Sequence, residues 1–140
     1  MPNSKFPDKA TLSELQSYIK NKCSERGFDR ASDLETYLLF SEEAGELARA
    51  IRRHRALFQE GAPASASSLQ ANLGEELADI LSYLLELANR FQIDLEEAFR
   101  AKEEINEGRQ WHYPPSRETY PPNRTRGGGP ERPPADSAPG

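Results

Sequence analysis

The sequence predicts an all-α fold, a four-helix bundle, from three observations. Apolar residues recur at three- and four-residue spacing in four segments, the segments open on capping residues, and none sustains two-residue alternation. Thr11-Leu12-Ser13-Glu14 has the capping-box pattern, in which a hydroxyl and a carboxylate satisfy amides that a helix start leaves unpaired. Leu12, Leu15, Ile19 and Cys23 then follow at helical spacing, and Gly27 stops this first helix. Ser32-Asp33-Leu34-Glu35 repeats the signature, and the second helix runs through Leu38, Ser41, Gly45, Ala48 and Ile51 before fading near Phe58. Residues 61–68, small and turn-forming, read as a flexible loop. A third helix over about residues 69–90 sets Leu73, Leu77, Leu81, Leu84, Ala88 and Phe91 along one side. Asp94-Leu95-Glu96-Glu97 caps a fourth, which runs to about Arg109.

Composition divides the chain into a helical domain over 1–112 and a tail over 113–140. The tail holds eight of the eleven prolines and the run Gly127-Gly128-Gly129, with little to bury, so disorder is expected there. One cysteine excludes an internal disulfide, no apolar leader follows Met1, and no apolar run is long enough to span a bilayer. A cytoplasmic protein with no membrane role is expected. A net charge of -5 argues against a general nucleic-acid binder, which needs excess lysine and arginine to displace counterions from phosphates.

Two acidic clusters interrupt the helical plan. Glu43 and Glu46 are three residues apart on the second helix and share one face, with Glu42 on the flank; Glu76 and Asp79 repeat the spacing on the third, with Tyr83 one turn further. A solvated acidic stripe normally interleaves lysine or arginine at i+3 or i+4, and here only Glu46 has a cation in reach, Arg49. Like charges so placed repel, and an oxygen-only donor set suits magnesium, manganese or calcium and not zinc. Spacing alone leaves both a metal site and a solvated stripe open.

The segments Glu42-Glu43-Ala44-Gly45-Glu46-Leu47 and Glu75-Glu76-Leu77-Ala78-Asp79-Ile80-Leu81-Ser82-Tyr83 resemble the paired E-E-x-x-E and E-x-x-D motifs of MazG-type all-α nucleotide pyrophosphohydrolases. Lys102 with Asn106 four residues on, and the ending Asn106-Glu107-Gly108-Arg109 before Tyr113-Pro114, are similar to that family as well. The resemblance implies that Glu43, Glu46, Glu76 and Asp79 ligate Mg2+, with Mn2+ as a substitute. It implies that Glu42 helps to orient the attacking water, that Lys102 and Asn106 face phosphates or sugar, and that Tyr83 lies near the nucleoside. The expected reaction is hydrolysis of a ribo- or deoxyribonucleoside triphosphate to monophosphate and pyrophosphate, a house-cleaning activity, in a homodimer or homotetramer. Phosphoribosyl-ATP pyrophosphohydrolysis and a catalytically silent helical dimer that binds a nucleotide or a protein are the alternatives.

Arg49 and Arg53 continue the stripe of Glu42 and Glu46 and are candidates to guide a polyanionic nucleotide; a solvated helix end that suits the dipole is the plainer reading of that basic run. Gly45 sits mid-helix, where glycine costs about 1 kcal/mol relative to alanine, and is best explained by close approach of a ligand or helix.

Overall fold

The structure, a computed structural model, describes Phe6 and residues 8–112; the tail predicted over 113–140 lies outside the described residues. Residues up to Gly108 form one unit, and the second, Arg109–Gly140, is described only to His112. The described residues hold four α-helices and one short 3-10 turn, with no strand among them. No helix among them is long and apolar enough to cross a membrane.

Helix α1 (Leu12–Arg26) starts from Thr11, whose side chain accepts from the Glu14 amide while the Glu14 carboxylate accepts from the Thr11 amide; it stops at Gly27 in the left-handed region, φ 77°. A 3-10 turn over Phe28–Arg30 leads into helix α2 (Asp33–His54), opened by the same reciprocal box between Ser32 and Glu35. The second helix ends sooner than its sequence suggests. Ala56 and Phe58 take positive φ, and the Arg52 guanidinium donates to the carbonyls of Leu57 and Phe58 at 3.1 and 2.7 Å, folding the chain back over the helix end.

Helix α3 (Ala66–Arg90) begins inside the stretch predicted as loop, because the Ser65 hydroxyl accepts from the Ser68 amide at 3.2 Å and makes a cap of one serine among several. Helix α4 (Leu95–Glu107) is capped by Asp94 as expected.

α2 and α3 pack side by side and antiparallel: His54 reaches Gln70 at one end, 3.2 Å apart, and Asp33 stands 3.6 Å from Arg90 at the other. α1 covers a second face of the C-terminal half of α3. Gln16 fixes that contact, donating to the Ile93 carbonyl at 2.6 Å, accepting from the Leu95 amide at 3.1 Å and, through its own carbonyl, from Asn89 at 3.0 Å. α4 packs on the first turns of α1, where the Ser13 amide and hydroxyl both donate to Glu96.

The apolar core of one chain is small. Among the described residues only Ala50, Leu69, Leu85 and Ala88 are buried apolar side chains. Meanwhile Leu34 and Leu38 on α2 and Leu77, Leu81 and Leu84 on α3 stay exposed. The leucines at i, i+4 and i+7 that mark α3 in the sequence therefore lie on a face that neither α1 nor α2 covers.

Candidate metal centre

The α2–α3 register sets the site. With Asp33 opposite Arg90 and His54 opposite Gln70, the middle of α2 falls against the middle of α3, and Glu43 meets Glu76 and Asp79. One ligand oxygen from each of the three lies within 4.8 Å of the others. Glu43 and Glu76 are half-buried and Asp79 is exposed, so the group opens to solvent from a partly desolvated floor. Asn72, one turn before Glu76, donates to its Oε1 at 3.0 Å and holds that carboxylate in place.

The electrostatics are one-sided. Burial first, then the charges of Asp79, Glu76, Glu42 and Glu46, push the Glu43 carboxyl above the usual carboxylate range. Tyr83, one turn beyond Asp79, is shifted upward too, by burial and then by Glu43, Asp79 and Glu42, so its phenol stays protonated and able to donate. A group of carboxylate oxygens with no nitrogen or sulfur donor fits a hard divalent cation such as magnesium or manganese.

The other sequence candidates fall in three places. Glu46, a turn beyond Glu43, stands outside the three-carboxylate group and pairs with Arg49 at 3.2 Å, while Glu42 is exposed on the flank. Arg53 is a turn further along α2 and borders a separate cleft of about 440 Å³ with Arg52, Phe58 and Gln59. Lys102 and Asn106 are on α4, which packs on the far end of α1; within one chain they are not brought to the carboxylates. Asn106 instead donates to Glu103 at 2.8 Å. Gly45 has no close neighbour among the described residues: a Cβ there meets nothing within 4 Å.

Sequence reasoning missed the cleft beside the cluster. A pocket of about 210 Å³ opens between α1, the α1–α2 connection, α2 and α3, with Asp79 and Tyr83 on its rim and Ile19, Cys23, Phe28 and Leu39 among its walls. Lys22 and Arg26 of α1 also border it. Helical spacing on α1 signals an apolar stripe but says nothing of what that stripe faces.

Among the described residues, an all-helical architecture in which Glu43 of α2 meets Glu76 and Asp79 of α3 defines a class of α-helical proteins with a carboxylate cluster that could hold a metal ion. The family model of the MazG nucleotide pyrophosphohydrolase domain matches residues 32–112, more than half of the 140-residue chain, from the cap of α2 past the end of α4. The chain belongs to this family, and nucleotide pyrophosphohydrolysis is the activity that the match supports. No curated protein matches the chain.

Proposed function

We propose that this chain hydrolyses ribo- or deoxyribonucleoside triphosphates to the monophosphate and pyrophosphate, with magnesium, or manganese in its place, held by Glu43, Glu46, Glu76 and Asp79. The observation that carries the reading is the meeting of Glu43, Glu76 and Asp79 from two helices, ligand oxygens within 4.8 Å, in a member of the MazG family. When bound, the cation neutralises the triphosphate oxygens and lowers the pKa of a water that attacks phosphorus.

The chain's own residues do the rest. Glu42, exposed beside Glu43, orients that water and accepts its proton. Arg49 is an exposed partner of Glu46; an incoming phosphate would compete for its guanidinium and leave the Glu46 carboxylate available as a further ligand. Tyr83 donates from the rim of the cleft, and the apolar walls beyond it take the nucleoside, placing the α-phosphorus next to Asp79.

A homodimer, or a tetramer built from it, belongs to the same reading. A second copy covers Leu34, Leu38, Leu77, Leu81 and Leu84, which one chain leaves to solvent, and can approach closely at Gly45. It also supplies Lys102 and Asn106 to a site that their own α4 does not reach.

Turnover in water enriched in oxygen-18 tests the position of attack. Label in the monophosphate and none in the pyrophosphate is expected for hydrolysis at the α-phosphorus; label in the pyrophosphate contradicts it.

A further inference from the structure

Phe28 gives the cleft beside Asp79 an aromatic wall, yet the segment that carries it is a short connection with few bonds of its own. Gly27 turns the chain out of α1, the Arg30 amide reaches back to the Gly27 carbonyl at 3.4 Å and the Ala31 amide to the Phe28 carbonyl at 3.1 Å. From α3 a single side chain grips this segment, among the described residues. Arg90 donates from Nη1 to the Ala31 carbonyl at 2.6 Å and from Nη2 to the Phe28 carbonyl at 3.0 Å, and Nη1 also stands 3.6 Å from Asp33 Oδ1.

That guanidinium is itself held. Its side chain is 12% exposed, and Nε, buried and without an aligned hydrogen bond, stands 2.9 Å from Oε1 of Glu86, a buried carboxylate one turn earlier on α3. Burying an arginine is costly unless its donors are used, and its planar fork can engage two carbonyls and a carboxylate together, which a lysine ammonium cannot reproduce. Phe28, Ala31 and Glu86 border the cleft and Arg90 does not; it works from behind the wall.

We propose that Arg90 is a positioning residue: by holding the carbonyls of Phe28 and Ala31 it fixes the Phe28 ring as a wall of the nucleoside cleft, and so sets nucleotide affinity without touching the nucleotide. The inference rests on the hydrolase reading for what the cleft holds.

Arg90→Lys and Phe28→Leu are compared with the wild-type chain on the common nucleoside triphosphates with magnesium, with inorganic tripolyphosphate as a competitive inhibitor and with melting temperatures. Losing one carbonyl bond in Arg90→Lys is expected to raise KM by about fivefold or more with kcat within about twofold, and to leave tripolyphosphate inhibition unchanged, since that inhibitor has no nucleoside. Phe28→Leu is expected to raise KM in the same way at the wild-type melting temperature, which separates the wall from the fold. A lowered melting temperature with unchanged KM in Arg90→Lys, or an equal loss of tripolyphosphate affinity, overturns the proposal and leaves Arg90 a structural residue. If the wild type turns over no triphosphate, the hydrolase reading has failed, and Arg90 is then read by calorimetric titration with the deoxynucleoside monophosphates. Binding about fivefold weaker in Arg90→Lys supports positioning. Equal binding, or none by the wild type, overturns it.

Discussion

Glu43 on α2 and Asp79 on α3 bring carboxylate oxygens within 4.8 Å of each other, and Glu76 closes the group. Like charges gathered from two helices oppose folding, and a bound cation would offset that repulsion. Asp79→Asn is therefore expected to lower turnover by about a hundredfold or more, since it removes charge that acts only with metal and substrate in place. Circular dichroism in chelator is expected to give an unchanged or higher melting temperature for the variant. Loss of fold in step with loss of turnover contradicts the assignment.

The Glu43 shift fixes a pH dependence. Its carboxyl is raised above the usual range in the folded chain, so the folded state binds more protons through the window between the ordinary value and the raised one, and stability falls there as pH rises. Glu43→Gln removes the effect. In chelator the variant is expected to melt above the wild type at neutral pH and to converge with it below the ordinary carboxylate range, and added magnesium is expected to raise the wild type more than the variant. A variant that melts lower at neutral pH contradicts this. The capping carboxylates Glu14 and Glu35 are lowered by hydrogen bonds from Thr11 and Ser32, so their contribution is present above the ordinary range and is lost as pH falls through the lowered values.

Cys23, on the wall of the cleft, is protected by its surroundings. Burial first, and then the Glu86 carboxylate, push its thiol up to about 12. Only about one thiol in ten thousand is then ionised at pH 8, so alkylation of the native chain is expected to run on the order of a thousandfold slower than in urea, rising about tenfold per pH unit. Labelling at the rate of a free thiol contradicts the packing of α1 against Glu86.

Leu85 and Leu38 separate the core of one chain from its uncovered face. Leu85 is 2% exposed, and Leu85→Ala is expected to cost about 2–5 kcal/mol in denaturant unfolding. Leu38 is 69% exposed, so Leu38→Glu is expected to leave the helical content of the chain intact while light scattering shifts from dimer towards monomer mass. An unchanged mass contradicts a dimer interface on this face.

Much of this was legible in the sequence because it is local. The boxes Thr11–Glu14 and Ser32–Glu35 and the stop at Gly27 depend on residues within a turn of one another, and each stands where the pattern set it. The early end of α2 was hidden because it depends on positive φ at Ala56 and Phe58, and the early start of α3 because Ser65 caps within a run of similar residues. In the site, spacing identified two acidic pairs and put Arg49 within reach of Glu46, but only the antiparallel register brings Glu43 to Glu76 and Asp79. The i, i+4 spacing of Glu86 and Arg90 is local, but their burial comes from α1 and the connection closing over them, which no local pattern encodes.

The reaction itself is decided by product analysis. The purified chain is incubated with each common nucleoside triphosphate, with magnesium and with a chelator, and the products are resolved by anion exchange. Monophosphate and pyrophosphate in equal amounts, formed only with magnesium, are the expected result; diphosphate with inorganic phosphate, or no turnover of any triphosphate, contradicts the proposed hydrolysis.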